Sequence, residues 1–225
     1  MSSPILVLDA ASPVVSVAAA DGGRLLAERT TELRRSSERL LTLVEEVLDE
    51  AGVELGGLGG VAALQGPGSF TGLRIALGTV LGFHQAVGVP ATALPTLPVI
   101  AAAAAEAAGG TVLAAVDAMR GDWTVQPFQI DPGHSGFPLP LAPAELRSPA
   151  ALGELAPARL AGFGVGRLAE TDDRDCGFEL VEPPPLAAVA ARIASLGTIS
   201  WDPAGLTRPI YFRPPAVTVP RPPIS

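Results

Sequence analysis

The sequence has no lysine: all fifteen of its Lys-or-Arg positions are arginine. No Walker-type lysine, Schiff-base lysine or lysine general base can therefore be assembled. Cysteine is nearly absent as well. Cys176 stands alone, which rules out an internal disulfide, fits the cytoplasm and reads first as a small buried or half-buried side chain. The two histidines, His84 and His134, are fifty positions apart and lack the His-x-x-x-His spacing that sets two imidazoles on one helix face, so no metal site is expected. Aromatic residues make up only 4%, so the core must be built from Ala, Val and Leu. The longest apolar stretch, Leu97 to Ala105, is interrupted by Pro98 and is far shorter than the roughly 20 residues a membrane span needs. The opening Met1-Ser2-Ser3-Pro4 carries neither a basic region nor a cleavage site, so no secretory signal is expected. Net charge is −8 and the arginines are scattered, so strong autonomous binding of nucleic acid is not expected.

What is present reads as α/β. At 225 residues with 48% hydrophobic content, the chain has room for one large domain or two lobes. Ile5 to Asp9 is an apolar run ending in an acid. Val14 to Ala20 alternates around Ser16, and a turn at Asp21-Gly22-Gly23 leads into Leu25 to Arg29, giving a three-strand meander. Ser36 or Ser37 can cap a helix that Gly52 closes. On that helix Leu40, Leu41, Leu43, Val44, Val47, Leu48 and Ala51 fall within an arc of about 160°. That stripe is wider than one sheet contact requires, and it fits either a second surface or a two-layer lobe equally well.

Gly60 to Gln65 is the next strand, followed by a long helix from Phe70 to about Val87 with no single polar face. Such a helix is expected to be buried nearly all round, with Gly78, Gly82 and Ala86 making a small-residue ridge where another backbone can sit close. Pro90 to Leu94 and the alanine-rich Leu97 to Ala108 complete a first unit, residues 1–109. A second unit, 110–213, opens on Val112 to Val116, again ending in an acid, Asp117. Asp122 to Ile130 follows, then irregular chain from Pro132 to Pro149, a weak helix near Ala150 to Leu155, a strand Leu160 to Phe163 and a helix Leu186 to Leu196. Residues 214–225 form a proline-rich tail expected to be extended. Strands ending in acids and glycine turns opening onto helices resemble the actin, sugar-kinase and Hsp70 arrangement; a generic α/β domain is the alternative.

The most informative segment is Gly66-Pro67-Gly68-Ser69-Phe70-Thr71-Gly72-Leu73-Arg74. A glycine turn between strand and helix can converge backbone N–H groups on an anion, which makes Gly66, Gly68, Ser69 and Thr71 candidate anion or nucleotide contacts. A tight turn with a serine cap explains the same residues equally well.

This segment closely resembles the signature of the TsaB (YeaZ) family. Ile5 to Ser12, Ser37 to Leu41, Ala115 to Ala118 with Arg120-Gly121, and Arg208 to Arg213 resemble four further motifs of that family. The resemblance implies an actin-like, Hsp70-like (ASKHA, RNase H-like) two-lobed fold with a reduced second lobe. It also implies a non-catalytic scaffold in the synthesis of threonylcarbamoyladenosine on tRNA. The implied partners are the catalytic subunit TsaD and the ATPase TsaE, with a homodimer when the chain is alone and tRNA met only through the complex. No cofactor of its own is implied, beyond a nucleotide at the interface with the partner. Excess apolar surface on the two helices points to Leu40, Leu43, Val44, Val47, Leu73, Leu77 and Leu81 as the partner interface. Three positions depart from the family pattern: Ser36 stands where many members have His, Met119 replaces an Arg, and Gly162-Phe163-Gly164 replaces a Gly-Asp-Gly.

The alternative is an ATP-using enzyme of the sugar-kinase class, with Asp9 and Asp117 as paired acids around Mg²⁺. Against it, the turn Asp9-Ala10-Ala11-Ser12-Pro13 lacks the glycine that lets phosphate approach the backbone.

Overall fold

The computed structural model describes residues 3–32, 36–105, 109–118, 121–131, 133, 135–155, 159–171 and 179–212. Met119, Arg120, His134, Cys176, Arg213 and the tail 214–225 lie outside these, as do the side chains of Ser36, Ser37 and Glu38.

Two sheets organise the chain. The first has the order β3-β2-β1-β4-β5, built from β1 (Ile5–Asp9), β2 (Val14–Asp21), β3 (Arg24–Glu32), β4 (Gly60–Gly66) and β5 (Ala91–Pro95). β1 pairs antiparallel with β2 and parallel with β4, so it is central, and all five of its residues are buried as its apolar run requires. The second sheet has the order β11-β10-β6-β7-β8. Its long members are β6 (Gly110–Asp117) and β7 (Trp123–Ile130); β8 (Leu139–Pro140), β9 (Glu145–Arg147), β10 (Arg159–Ala161) and β11 (Glu179–Val181) have three residues or fewer. This is the two-lobed actin-like fold with the second lobe reduced.

Helices α1 (Ser36–Ala51) and α2 (Phe70–Val87) pack on the first sheet as one pair, and α3 (Thr96–Ala105) and α5 (Leu186–Ala194) pack on it as another. α3 also lies against β6 and β7, so its alanines sit between the sheets and all of 99–104 is buried. Small side chains allow that double contact. Alternation splits β6: Val112 and Ala114 join the main core, while Leu113 and Ala115 join a smaller cluster with Trp123, Leu152 and Leu160. Arg159, buried on β10, donates to the carbonyls of Ala104 (2.7 Å), in the last turn of α3, and Gly109 (2.9 Å), just before β6.

Several expectations need correction. Leu186–Phe212 belongs with the first sheet, not with the unit 110–213. α5 packs on β1 and β2, and the buried Ser16 hydroxyl accepts from Ala187 N (3.1 Å), capping α5 from 171 residues away. Asp202 then caps a 3-10 turn, Pro203–Thr207, against β5, an element that the sequence reading did not include. A short helix α4 (Gly166–Thr171) and strand β11 also escape the sequence reading, because six and three residues give no measurable period. Finally, α2 is not buried all round: Thr71, Arg74, Gly78, Gly82 and Gln85 form an exposed stripe along it. Among the described residues no helix is long and apolar enough to cross a membrane.

Candidate functional site

The signature segment, the end of β1 and the chain's last described residues meet at one place. Ser69 N donates to Ala11 O (2.8 Å), and the Ser69 hydroxyl accepts from Gly72 N (3.2 Å) as the cap of α2. Gly66 N donates to Thr96 Oγ1 (3.1 Å). On the other side, Ile210 N donates to Gln65 O (2.8 Å), and Gln65 Nε2 donates to the carbonyls of Gly205 (3.2 Å) and Arg208 (2.8 Å). Motifs more than 130 residues apart in sequence are thus one structural unit.

The glycines explain themselves by contact. A Cβ on Gly72 would collide with Ala10 O, one on Gly68 would come within 2.5 Å of Ala11 O, and one on Gly66, whose φ is +108°, within 2.6 Å of Ile210 O. They bring α2 and the C-terminal segment against the turn after β1. This is a packing role, and the amides of Gly66 and Ser69 donate within the chain, while Thr71 is exposed on the outer side of α2.

Asp9 lies beneath this joint, fully buried. Its Oδ1 accepts from Ala11 N (2.8 Å) and Ser12 N (3.2 Å). Oδ2 and the neighbouring Ser12 Oγ have no partner of hydrogen-bond geometry. Burial pushes the Asp9 carboxyl up to about 6, while the Ser12 side chain and the two N–H groups pull it down. Asp117 ends β6 in the matching place, but it is partly exposed and paired with Arg167 (3.2 Å). The glycine turn beside it is occupied by the chain itself: Glu182 accepts from Gly164 N (3.0 Å) and Gly166 N (3.4 Å). Among the described residues no three His, Cys, Asp or Glu side chains gather as metal ligands. His84 Nδ1 bonds to Val89 O (2.8 Å) at the end of α2, a structural contact.

The expected partner residues are differently placed. Leu40, Leu43, Val44, Val47, Leu73 and Leu77 are at most 3% exposed, all packed into the chain's own core. Most of the wide stripe of α1 is therefore covered by its own lobe, because both β2 and β3 lie under it. Leu81 is half-buried, and Leu41 is 57% exposed. What α2 offers outward is the stripe of Arg74, Gly78 and Gly82, where a Cβ on either glycine would meet nothing within 4 Å. Sequence reasoning also missed a cluster at its head: Phe70 and Tyr211 have ring centroids 5.0 Å apart, and the Arg74 guanidinium lies 3.8 Å over the Phe70 ring. Both residues' motifs had been noticed, but nothing in the sequence joins them.

Comparison with known proteins places this architecture. The family model of TsaD, the tRNA N6-adenosine threonylcarbamoyltransferase, matches residues 25–130. The tRNA threonylcarbamoyladenosine biosynthesis protein TsaB of Escherichia coli K12 is 34% identical over 128 residues, covering 56% of this chain and 55% of the relative. The chain thus spans about half the length of the curated relatives it matches. YeaZ from Pseudomonas aeruginosa superposes with a TM-score of 0.70 at 29% identity, over 87% of this chain and 91% of that one. A crystal structure described as an uncharacterized protein with similarity to peptidase YeaZ from Pseudomonas aeruginosa gives 0.74 at 27% identity, over 94% and 100%.

Proposed function

We propose that this chain, which resembles the TsaB (YeaZ) family in sequence and structure, serves the biosynthesis of threonylcarbamoyladenosine on tRNA as a subunit without turnover of its own. In this reading it binds the catalytic subunit TsaD through the outer stripe of α2 and holds it in a competent state, in the cytoplasm where tRNA is modified. TsaE joins the pair, tRNA is met through the complex, and any nucleotide sits at the contact between subunits. Alone, the chain uses the same stripe to form a homodimer.

The observation that carries the reading is the division of labour along one motif. Its glycines are committed to packing α2 on the turn after β1, and the helix beyond presents an open ridge. A ridge of glycines lets a second helix approach closely. The match of a TsaD family model to residues 25–130 adds a reason for pairing, since related lobes can meet about a pseudo-two-fold axis. The buried, N–H-capped Asp9 and the Arg167-paired Asp117 also favour a scaffold over a kinase-like enzyme.

Reconstitution tests this. TsaD, TsaE, threonylcarbamoyl-adenylate and tRNA should give modified tRNA only when this chain is added, and the chain alone should neither modify tRNA nor hydrolyse ATP. Steady ATP turnover by the chain alone, lost in Asp9→Ala, would establish the sugar-kinase reading instead.

A further inference from the structure

We propose that Arg74 is the charged anchor of the α2 surface and receives a carboxylate from a helix of the partner subunit. The inference rests on the partner reading above and assigns that surface its chemistry. Arg74 is exposed, yet it is not loose. Its guanidinium lies 3.8 Å over the Phe70 ring and 6.0 Å from the Tyr211 ring, and those rings support one another at 5.0 Å. A flat guanidinium laid on aromatic faces has already given up much of its rotamer freedom, so less is lost when it binds. With its carbon over the Phe70 ring, the exposed guanidinium still has N–H groups to offer a planar, two-oxygen acceptor.

Three further observations fix the occupant. Among the described residues no acid pairs with Arg74, and α2 itself contains no Asp or Glu. Arg74 shares the exposed stripe with Gly78 and Gly82, spaced four apart, which gives a helix room to lie close along it. The nearby amides of Ser69, Gly72 and Leu73 already donate within the chain, to Ala11 O, Ser69 Oγ and Ser69 O. With those three amides taken, the single guanidinium suits a carboxylate better than a phosphate cradle.

The test is calorimetric titration of purified TsaD into wild type, Arg74→Ala, Arg74→Lys and Phe70→Leu, with and without ADP, after circular dichroism has shown each variant folded. Arg74→Ala and Arg74→Lys should each weaken binding by about tenfold or more, and Phe70→Leu by less. Rising salt should weaken wild type more steeply than Arg74→Ala. Equal affinity of Arg74→Ala and wild type overturns the anchor, and a lysine variant that binds like wild type overturns the stacked geometry it depends on. A loss seen only when ADP is present assigns Arg74 to a phosphate and overturns the carboxylate. Absence of heat in every arm, wild type included, defeats the partner reading and takes the anchor with it.

Discussion

The two lobes place the same parts in the same positions and put them in different physical states. In each, the leading strand ends in an acid, Asp9 or Asp117, and a glycine lets a turn touch that strand's backbone: Gly72 against Ala10 O, and Gly162 against Ala115 O. In the first lobe the acid is fully buried, its Oδ1 is held by two N–H groups, and a long helix and the returning C-terminal segment close over it. In the second lobe the acid is partly exposed, answered by the mobile-length side chain of Arg167, and the glycine turn holds a surface carboxylate, Glu182. Repeated motifs thus mark a repeated backbone geometry. Burial decides whether that geometry is a rigid joint or a surface network.

Glycine substitutions should separate the two most sharply. Gly72→Ala forces a methyl into a backbone oxygen inside the joint and should destabilise by about 4 kcal/mol or more. Gly162→Ala makes the same kind of clash beside a turn that borders solvent, and should cost roughly half as much. Urea unfolding of the two variants measures the difference. Equal losses would mean that the second lobe is as rigid as the first.

The acids come next. Asp9 titrates near 6 in the folded chain against 3.8 in the reference state. Its folded pKa is raised, so its contribution to stability is fully present below about 3.8 and is lost as pH rises through about 6. The difference corresponds to about 3 kcal/mol at pH 8. Asp9→Asn keeps an oxygen for Ala11 N and Ser12 N without the charge. It should be more stable than wild type at pH 8 by up to that amount, and no more stable at pH 4. Asp117→Asn breaks a partly exposed ion pair and should shift stability by less than about 1 kcal/mol. Thermal melts across pH read both. An Asp9→Asn variant less stable than wild type at pH 8 would mean that the carboxylate answers a cation, as an ATP-using enzyme would require.

The smallest effect lies on the outer face of the joint's own helix. Gly78→Ala enters open space and should raise the stability of the isolated chain by up to about 1 kcal/mol through helix propensity. It should weaken TsaD binding all the same. A rise in stability with unchanged binding would place the partner elsewhere.

Much of the fold was legible because its long elements carry clear periods. β1, β4, α2 and β6 were each readable from an apolar run or an apolar helix bounded by glycine or an acid. What failed was whatever depended on a neighbour. The stripe on α1 could not say that β2 and β3 together would fill it, so six residues offered as partner contacts are core. The apolar wheel of α2 could not show that glycines are apolar and yet lie open to solvent. Gly66 to Gly72 announced a tight approach, but only the structure says that Ala10, Ala11 and Ile210 are the groups that approach. α5 was found as a helix, yet its cap, Ser16, lies in the second strand, beyond any local signal.

In the proposed complex the outer ridge of α2, and not the signature turn beneath it, does the binding. Gly82→Glu tests it, because the ridge has room for the side chain in the isolated protein and none once a helix lies on it. The measurement is the dissociation constant for TsaD, by calorimetry, alongside the melting temperature. The account predicts a chain folded at least as well as wild type that binds TsaD about thirtyfold more weakly or worse. A folded Gly82→Glu chain with wild-type affinity would contradict it.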